Sequence, residues 1–177
     1  MFITKDNDSG VSQEYFVVKK EGGTYGMSIK HFLEIGNNKD LFASKANVLV
    51  CPTNGSGAMG KGLALTFNQL YPGLKTAYAK ACRRGDQEPG KLFFWQADDS
   101  TVICCLPTKR DWRDPSTYAD VYAGITTLAE IQAQFQLHVA VPPLGCGLGT
   151  LSWKEVKGFL IETMDTSLTD ICAGIRK

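Results

Sequence analysis

The sequence predicts an α/β domain, and three observations carry that expectation. Two short runs, Val48-Leu49-Val50 and His138 to Val141, are apolar almost without interruption, as strands buried on both faces of a parallel sheet are. Each run feeds a glycine-rich stretch, and each stretch opens a helical pattern. Between the two units lies Tyr118 to Phe135, an amphipathic helix with Val121, Ile125, Leu128, Ile131 and Phe135 as its expected core stripe.

With 177 residues the chain makes one domain large enough to bury a core. Its 44% hydrophobic and 21% charged residues are ordinary for a globular protein. A formal net charge of +1 excludes a global field that would recruit nucleic acid or an anionic membrane. No apolar run approaches the roughly 18 residues of a membrane span, and no signal-peptide pattern opens the chain. Six cysteines, at 51, 82, 104, 105, 146 and 172, include no C-x-x-C pair, and the two histidines, His31 and His138, lie in or beside apolar runs. That pattern offers no zinc site, so no metal is expected. Cysteines inside expected strands fit the buried, reduced thiols of a cytoplasmic protein.

Taken in order, residues 1–13 are polar and read as a loose lead-in. Tyr15-Phe16-Val17-Val18 reads as a strand, turned by Gly22-Gly23. Residues 1–28 are thus expected as a lead-in with an extra strand, ahead of a domain at 29–177. Ile29 to Ile35 reads as a further strand and 36–39 as a loop before Asp40. Asn47 to Val50 is the central strand. The helix after the first glycine loop runs to about Leu70, where Pro72-Gly73 breaks it. A second helix, 73–84, carries Lys75, Lys80, Arg83 and Arg84, either as a solvated face or as a phosphate-contacting patch. Lys91 to Ala97 and Thr101 to Leu106 read as a hairpin around Asp98-Asp99-Ser100. Residues 107–116 link a strand to the long helix, with Pro115 near its first position and Asp114 a candidate N-cap. Ser152-Trp153-Lys154-Glu155 spells a capping box before the last helix, and residues 167–173 read as a final strand.

The most informative stretch is Val50 to Phe67, with four glycines at 55, 57, 60 and 62. A strand, a glycine turn and a helix N-terminus make an anion site, because unpaired N–H groups and the helix dipole both favour negative charge. Gly55 to Gly60 satisfies the dinucleotide pattern GxGxxG, which needs an acidic residue closing a second strand roughly 20 residues on. Residues 74–84 look helical there instead. Gly55 to Lys61 also satisfies the start of a P-loop, but Gly62 stands where Ser or Thr should ligate Mg²⁺. A turn for chain reversal alone needs fewer glycines.

A third template fits better. Val50-Cys51-Pro52-Thr53-Asn54, then Gly57-Ala58-Met59-Gly60-Lys61-Gly62-Leu63-Ala64, resembles the first ADP-ribose-binding loop of a macrodomain. The MGKG variant resembles the branch that holds the DarG antitoxins, which remove ADP-ribose from DNA, and the human terminal ADP-ribose protein glycohydrolase. Two later stretches arrive in the same order as in that branch. Pro107-Thr108-Lys109-Arg110 with Trp112-Arg113 and Pro115-Ser116 resembles its catalytic strand end, and Gly145-Cys146-Gly147-Leu148-Gly149 its second phosphate loop.

The resemblance, over roughly residues 29–173, implies a three-layer α/β/α fold with a central mixed sheet. It implies an ADP-ribosyl glycohydrolase with adenine at Asp40 and Leu41. The diphosphate would lie between Gly57, Ala58, Met59, Gly60, Lys61, Gly62 and Gly145, Cys146, Gly147, Leu148, Gly149, with Thr108 beside it. The distal ribose would lie at Asn54, whose amide can both donate to and accept from ribose hydroxyls. The catalytic residues would be Lys109 and Asn54. As a neutral amine Lys109 attacks C1″ and forms a covalent intermediate; as an ammonium it orients the ribose or phosphate and protonates the leaving group. Cys146 has no His near it in sequence and matches a packing position. The human relative uses an Asp where Gly149 stands, so release from protein glutamate by that scheme is not expected, and ADP-ribosylated nucleic acid is the favoured substrate. The branch's antitoxins carry a further C-terminal domain that this sequence does not contain, so toxin neutralisation by binding is not expected. Competing readings are hydrolysis of free O-acetyl-ADP-ribose or ADP-ribose 1″-phosphate, and a non-catalytic ADP-ribose-binding module. The protein is expected to act as a monomer, without cofactor or membrane attachment.

Overall fold

Val48 and Leu49 bury their side chains on opposite sides of one sheet, and the architecture follows from that alternation. The computed structural model describes residues 2–6, 12–20, 23–28 and 40–172. In chain order the elements are β1 (Phe2–Asp6), β2 (Ser12–Lys20), β3 (Gly23–Ser28), a 3₁₀ turn (Leu41–Ala43), β4 (Val48–Thr53), α1 (Gly62–Leu70), α2 (Leu74–Arg83), β5 (Phe93–Gln96), β6 (Val102–Pro107), α3 (Tyr118–Phe135), β7 (Val139–Val141), α4 (Trp153–Thr163) and β8 (Thr169–Ile171).

The main sheet has the order β5-β6-β4-β7-β8. Central β4 pairs in parallel with β6 (Val48 opposite Val102) and with β7 (Val48 opposite Val139). β8 adds in parallel to β7, and β5 adds antiparallel to β6 as the expected hairpin, so the sheet is mixed. Val48, Val50, Cys104 and Leu106 pack into one core with Val121, Ile125 and Leu128 of α3 and Val156 and Leu160 of α4. Leu49, Cys51, Ile103 and Cys105 pack into a second core with Phe67 of α1 and Leu74 and Tyr78 of α2. Two helices thus lie on each face, which is the three-layer arrangement. At Gly124 a Cβ would stand 2.7 Å from Leu106, so only glycine lets α3 settle this closely on β6.

Four local expectations are corrected. Phe2–Asp6 is a strand rather than loose lead-in, paired antiparallel with β2 in a separate sheet that β3 completes. A strand this short becomes visible only against its partner. The expected strand at Ile29–Ile35, the loop at 36–39 and His31 lie outside the described residues. In α3 the buried stripe is Val121, Ile125, Leu128 and Gln132; Ile131 is half-buried and Phe135 is 61% exposed. Gln132 replaces them because its amide is satisfied inside: Nε2 donates to the Leu168 carbonyl (3.1 Å) and Thr169 Oγ1 (2.9 Å), and Oε1 accepts from the Asp165 N–H (3.0 Å). The N-cap of α3 is Thr117, which accepts from the Asp120 N–H at 3.1 Å, not Asp114. Ser152 does stand at the N-cap of α4, but its side chain makes no capping bond; its N–H donates to the Tyr118 hydroxyl at 3.2 Å.

Candidate active site

Three loops leave the same end of the sheet: 54–61 after β4, 108–117 after β6 and 142–152 after β7. Parallel β4 and β6 end side by side, and their pairing runs on into the loops. The Thr108 N–H donates to the Thr53 carbonyl (3.0 Å), and the Gly55 N–H donates to the Lys109 carbonyl (3.1 Å). A Cβ on Gly55 would stand 2.7 Å from the Arg110 carbonyl oxygen and 2.8 Å from that of Gln87. Glycine is required at 55 by close approach of two other backbone segments.

Asn54 closes the first loop. Its Nδ2 donates to the Ala58 carbonyl (2.8 Å), and its Oδ1 accepts from the Ala58 N–H (3.0 Å) and the Ser56 hydroxyl (2.9 Å). The Tyr78 hydroxyl, from α2, donates to the Asn54 carbonyl (2.9 Å). Burial raises the Tyr78 phenol far above its ordinary range, so it serves as a permanent donor. Both lone pairs of Asn54 Oδ1 are taken, which corrects the expectation that the amide donates to one ribose hydroxyl and accepts from another. Only an amide hydrogen is left to offer.

Lys109 joins the loops. It is 8% exposed, and its Nζ donates to the Leu148 carbonyl at 3.4 Å. The residue is therefore bonded to the first glycine loop through its carbonyl and to the second through its amine. A Cβ on Gly62 would meet Leu148 Cδ1 at 3.9 Å, so the two glycine loops also approach one another directly.

The second loop is held by crowding. The Leu151 N–H donates to the Gly145 carbonyl (3.0 Å), and the Ser116 N–H donates to the Gly149 carbonyl (3.1 Å). A Cβ on Gly149 would fall inside Ser116 Oγ and the Gly145 carbonyl. No side chain, and no carboxylate, fits at 149. Thr150 follows with φ +68°, a conformation that β-branched residues rarely hold.

The expected ligand residues now sort into two groups. Gly60, Lys61, Gly62, Gly147 and Leu148 are exposed, and a Cβ on Gly60 or Gly147 would meet nothing within 4 Å. No side chain caps α1, so its first N–H groups remain free of side-chain acceptors. Ala58, Thr108, Gly145 and Gly149 instead brace the loops through the contacts above, and the Gly57 N–H donates to the Asn54 carbonyl (3.4 Å). Leu41 and Met59 are corrected: at 0% and 1% exposure both are core residues beside Phe67 and Tyr78, with no surface to give a ligand. Asp40 is exposed and caps the 3₁₀ turn, accepting from the Phe42 N–H at 3.0 Å. The half-buried Cys146 thiol donates to the Leu144 carbonyl, and burial pushes its pKa up to about 11, which keeps it protonated and poorly nucleophilic at neutral pH.

Sequence reasoning missed Ser56 and Tyr78, and it gave Ser116, though part of a motif, no role in holding the second loop. Tyr78 reads only as part of a helical apolar pattern, and no motif marks a hydroxyl that braces a loop from another element.

A strand–loop–helix unit used twice, with a lysine between its loops, is matched by a family model. The model for the Macro domain covers residues 50–160. The chain belongs to the Macro domain family. Among curated proteins it is 41% identical over 140 residues to the DNA ADP-ribosyl glycohydrolase of Mycobacterium tuberculosis, covering 77% of this chain and 40% of that protein. It is 37% identical over 130 residues to the DNA ADP-ribosyl glycohydrolase of Thermus aquaticus, covering 71% and 36%. This macrodomain chain thus spans about two fifths of the length of the curated relatives it matches. Among solved structures it is similar to the macrodomain of Mycobacterium tuberculosis DarG, with a TM-score of 0.67 and 38% identity over 72% of this chain and 91% of that one. No helix among the described residues is long and apolar enough to cross a membrane.

Proposed function

We propose that this macrodomain is an ADP-ribosyl glycohydrolase that removes ADP-ribose from modified nucleic acid, with Lys109 as its catalytic amine. The observation that carries the reading is the seat of Lys109: buried to 8% exposure, tied to the first glycine loop by its carbonyl and to the second by its amine. The exposed backbone at Gly60–Gly62 and Gly147–Leu148 suits a diphosphate gripped from two sides. The sugar beyond the diphosphate then meets Lys109 and the remaining amide hydrogen of Asn54. In the reaction the bond from C1″ to the modified group breaks, water supplies the oxygen that ends on C1″, and the leaving group takes a proton. Positive charge develops on the ribose as the bond breaks, and an amine at that carbon is the group able to add to it or to pass on a proton.

The nucleic-acid assignment is supported by the names of the relatives and by Gly149, where packing excludes the Asp that the human relative uses. The protein carries little net charge, so such a substrate would be held by local contacts.

A substrate panel tests the reading: single-stranded DNA with ADP-ribosylated thymidine or guanosine, Glu-linked protein, acetyl-ADP-ribose and ADP-ribose 1″-phosphate. Wild type should release ADP-ribose fastest from DNA. Lys109→Ala should lower turnover by about 10²- to 10⁴-fold while ADP-ribose affinity stays within a few-fold. Borohydride trapping of an adduct at Lys109 would identify the nucleophilic route. Unchanged turnover in Lys109→Ala would remove the catalytic assignment, and firm ADP-ribose binding without turnover on any substrate would replace the enzyme with a binding module.

A further inference from the structure

Trp112 lies five residues after the end of β6 at Pro107 and is 49% exposed, on a loop that also carries Lys109, Arg110, Asp111, Arg113 and Asp114. Its position is tied to the site by two hydrogen bonds in series. The Trp112 N–H donates to Ser56 Oγ (3.3 Å), and the Ser56 hydroxyl donates to Asn54 Oδ1 (2.9 Å). These bonds set the Trp112 main chain next to Asn54, the residue at which the proposed function puts the distal ribose, and so near the end from which the modified group would emerge. Arg113 is set against the Trp112 ring, with its guanidinium carbon 4.9 Å from the ring centroid. Asp111 fixes that arrangement twice, accepting from the Arg113 N–H (3.0 Å) and pairing with its guanidinium (3.5 Å). Arg113 keeps 71% of its side-chain surface exposed, and Arg110 keeps 66% while pairing with Asp120 at 3.5 Å.

An exposed indole with an ordered guanidinium on it, flanked by a second exposed arginine, is a poor surface to leave in water. It is a good one for an unstacked base followed by a phosphate, since a flat aromatic receives the base and the cations neutralise the backbone. We propose that Trp112 and Arg113 form a nucleobase subsite for single-stranded nucleic acid at the rim of the pocket, with Trp112 stacking on a base of the modified strand and Arg113 meeting its phosphate. The subsite deepens the proposed function and rests on it for the identity of the substrate. It reads no sequence, because every base offers a flat face.

Two measurements test it on the whole protein. The first is steady-state release of ADP-ribose from a short single-stranded oligothymidine carrying one ADP-ribosyl group, beside calorimetric affinity for free ADP-ribose. Trp112→Ala should raise KM for the oligonucleotide about tenfold, leave kcat within about twofold, and leave ADP-ribose affinity unchanged, while Trp112→Phe should recover most of the loss. Arg113→Gln should raise KM less and flatten its dependence on salt. The second is quenching of intrinsic fluorescence: the modified oligonucleotide should quench wild type more than free ADP-ribose does, and that excess should vanish in Trp112→Phe. Equal loss for oligonucleotide and free ADP-ribose, or no change in KM together with no excess quenching, would overturn the subsite. If Trp112→Ala does not fold, Trp112→Phe, Arg113→Gln and the wild-type quenching still decide. Excess quenching without turnover would sink the proposed activity and leave the subsite standing.

Discussion

In the loop after β4 a single side chain does the closing: Asn54 takes both the N–H and the carbonyl of Ala58 and holds Ser56 as well. The loop after β7 has no such residue. It is closed by main-chain bonds; Ser116 fills the space where a side chain at Gly149 would stand, and Leu151, Val121 and Ser116 together fill that at Gly145. The glycines look interchangeable in sequence, yet they answer to different forces. Gly55 and Gly149 are demanded by neighbouring atoms of the protein itself. Gly60 and Gly147 are not, and the space beside them is open. A glycine that its own fold does not need is one reserved for something that arrives later.

That difference gives a ranked series of tests. Gly149→Asp should be the most damaging, since it forces a Cβ and a carboxylate into occupied, buried space. A loss of about 3 kcal/mol or more, or failure to fold, should appear in urea denaturation. Asn54→Ala should cost about 2–3 kcal/mol, by removing the partners of two main-chain groups and a hydroxyl, and should loosen the first loop selectively in hydrogen exchange. Gly55→Ala should cost about 1–3 kcal/mol for its collision with two carbonyls. Gly60→Ala should change stability by no more than about 0.5 kcal/mol and still weaken ADP-ribose binding about tenfold in calorimetry, because its methyl group stands where the ligand should approach. The smallest signal is chemical. Burial raises the Cys146 pKa above that of an unfolded thiol, so the native thiol stays protonated as pH rises through 9 and ionises only near about 11. Mapping alkylation by mass spectrometry should find it slow at pH 8 and fast only above about pH 10; rapid labelling at pH 8 would contradict its shielded position.

Much of the fold was legible in residue patterns. β4, both helices after it, the β5–β6 hairpin and the limits of α3 lie close to where periodicity and breakers put them, because those signals act within a few residues. Less of the site was. Lys109 stands between the glycine loops, whereas Leu41 and Met59, expected at the ligand from the same resemblance, are core. Sequence adjacency to a ligand loop does not say which way a side chain turns. Phe135 and Gln132 repeat the lesson in α3, where the apolar residue is exposed and the amide buried.

The order of residues alone determined two strand–glycine loop–helix units, the lysine that follows Thr108, and the glycines that make backbone N–H groups approachable, since each is a short-range matter of steric bulk and dihedral freedom. Tertiary structure decided which glycines support the protein and which face outward, that Asn54 is largely spent on its own loop, and that the Lys109 amine reaches the carbonyl of Leu148. Those outcomes depend on where β4, β6 and β7 end relative to one another, and only parallel pairing across the sheet brings three distant loops to one edge.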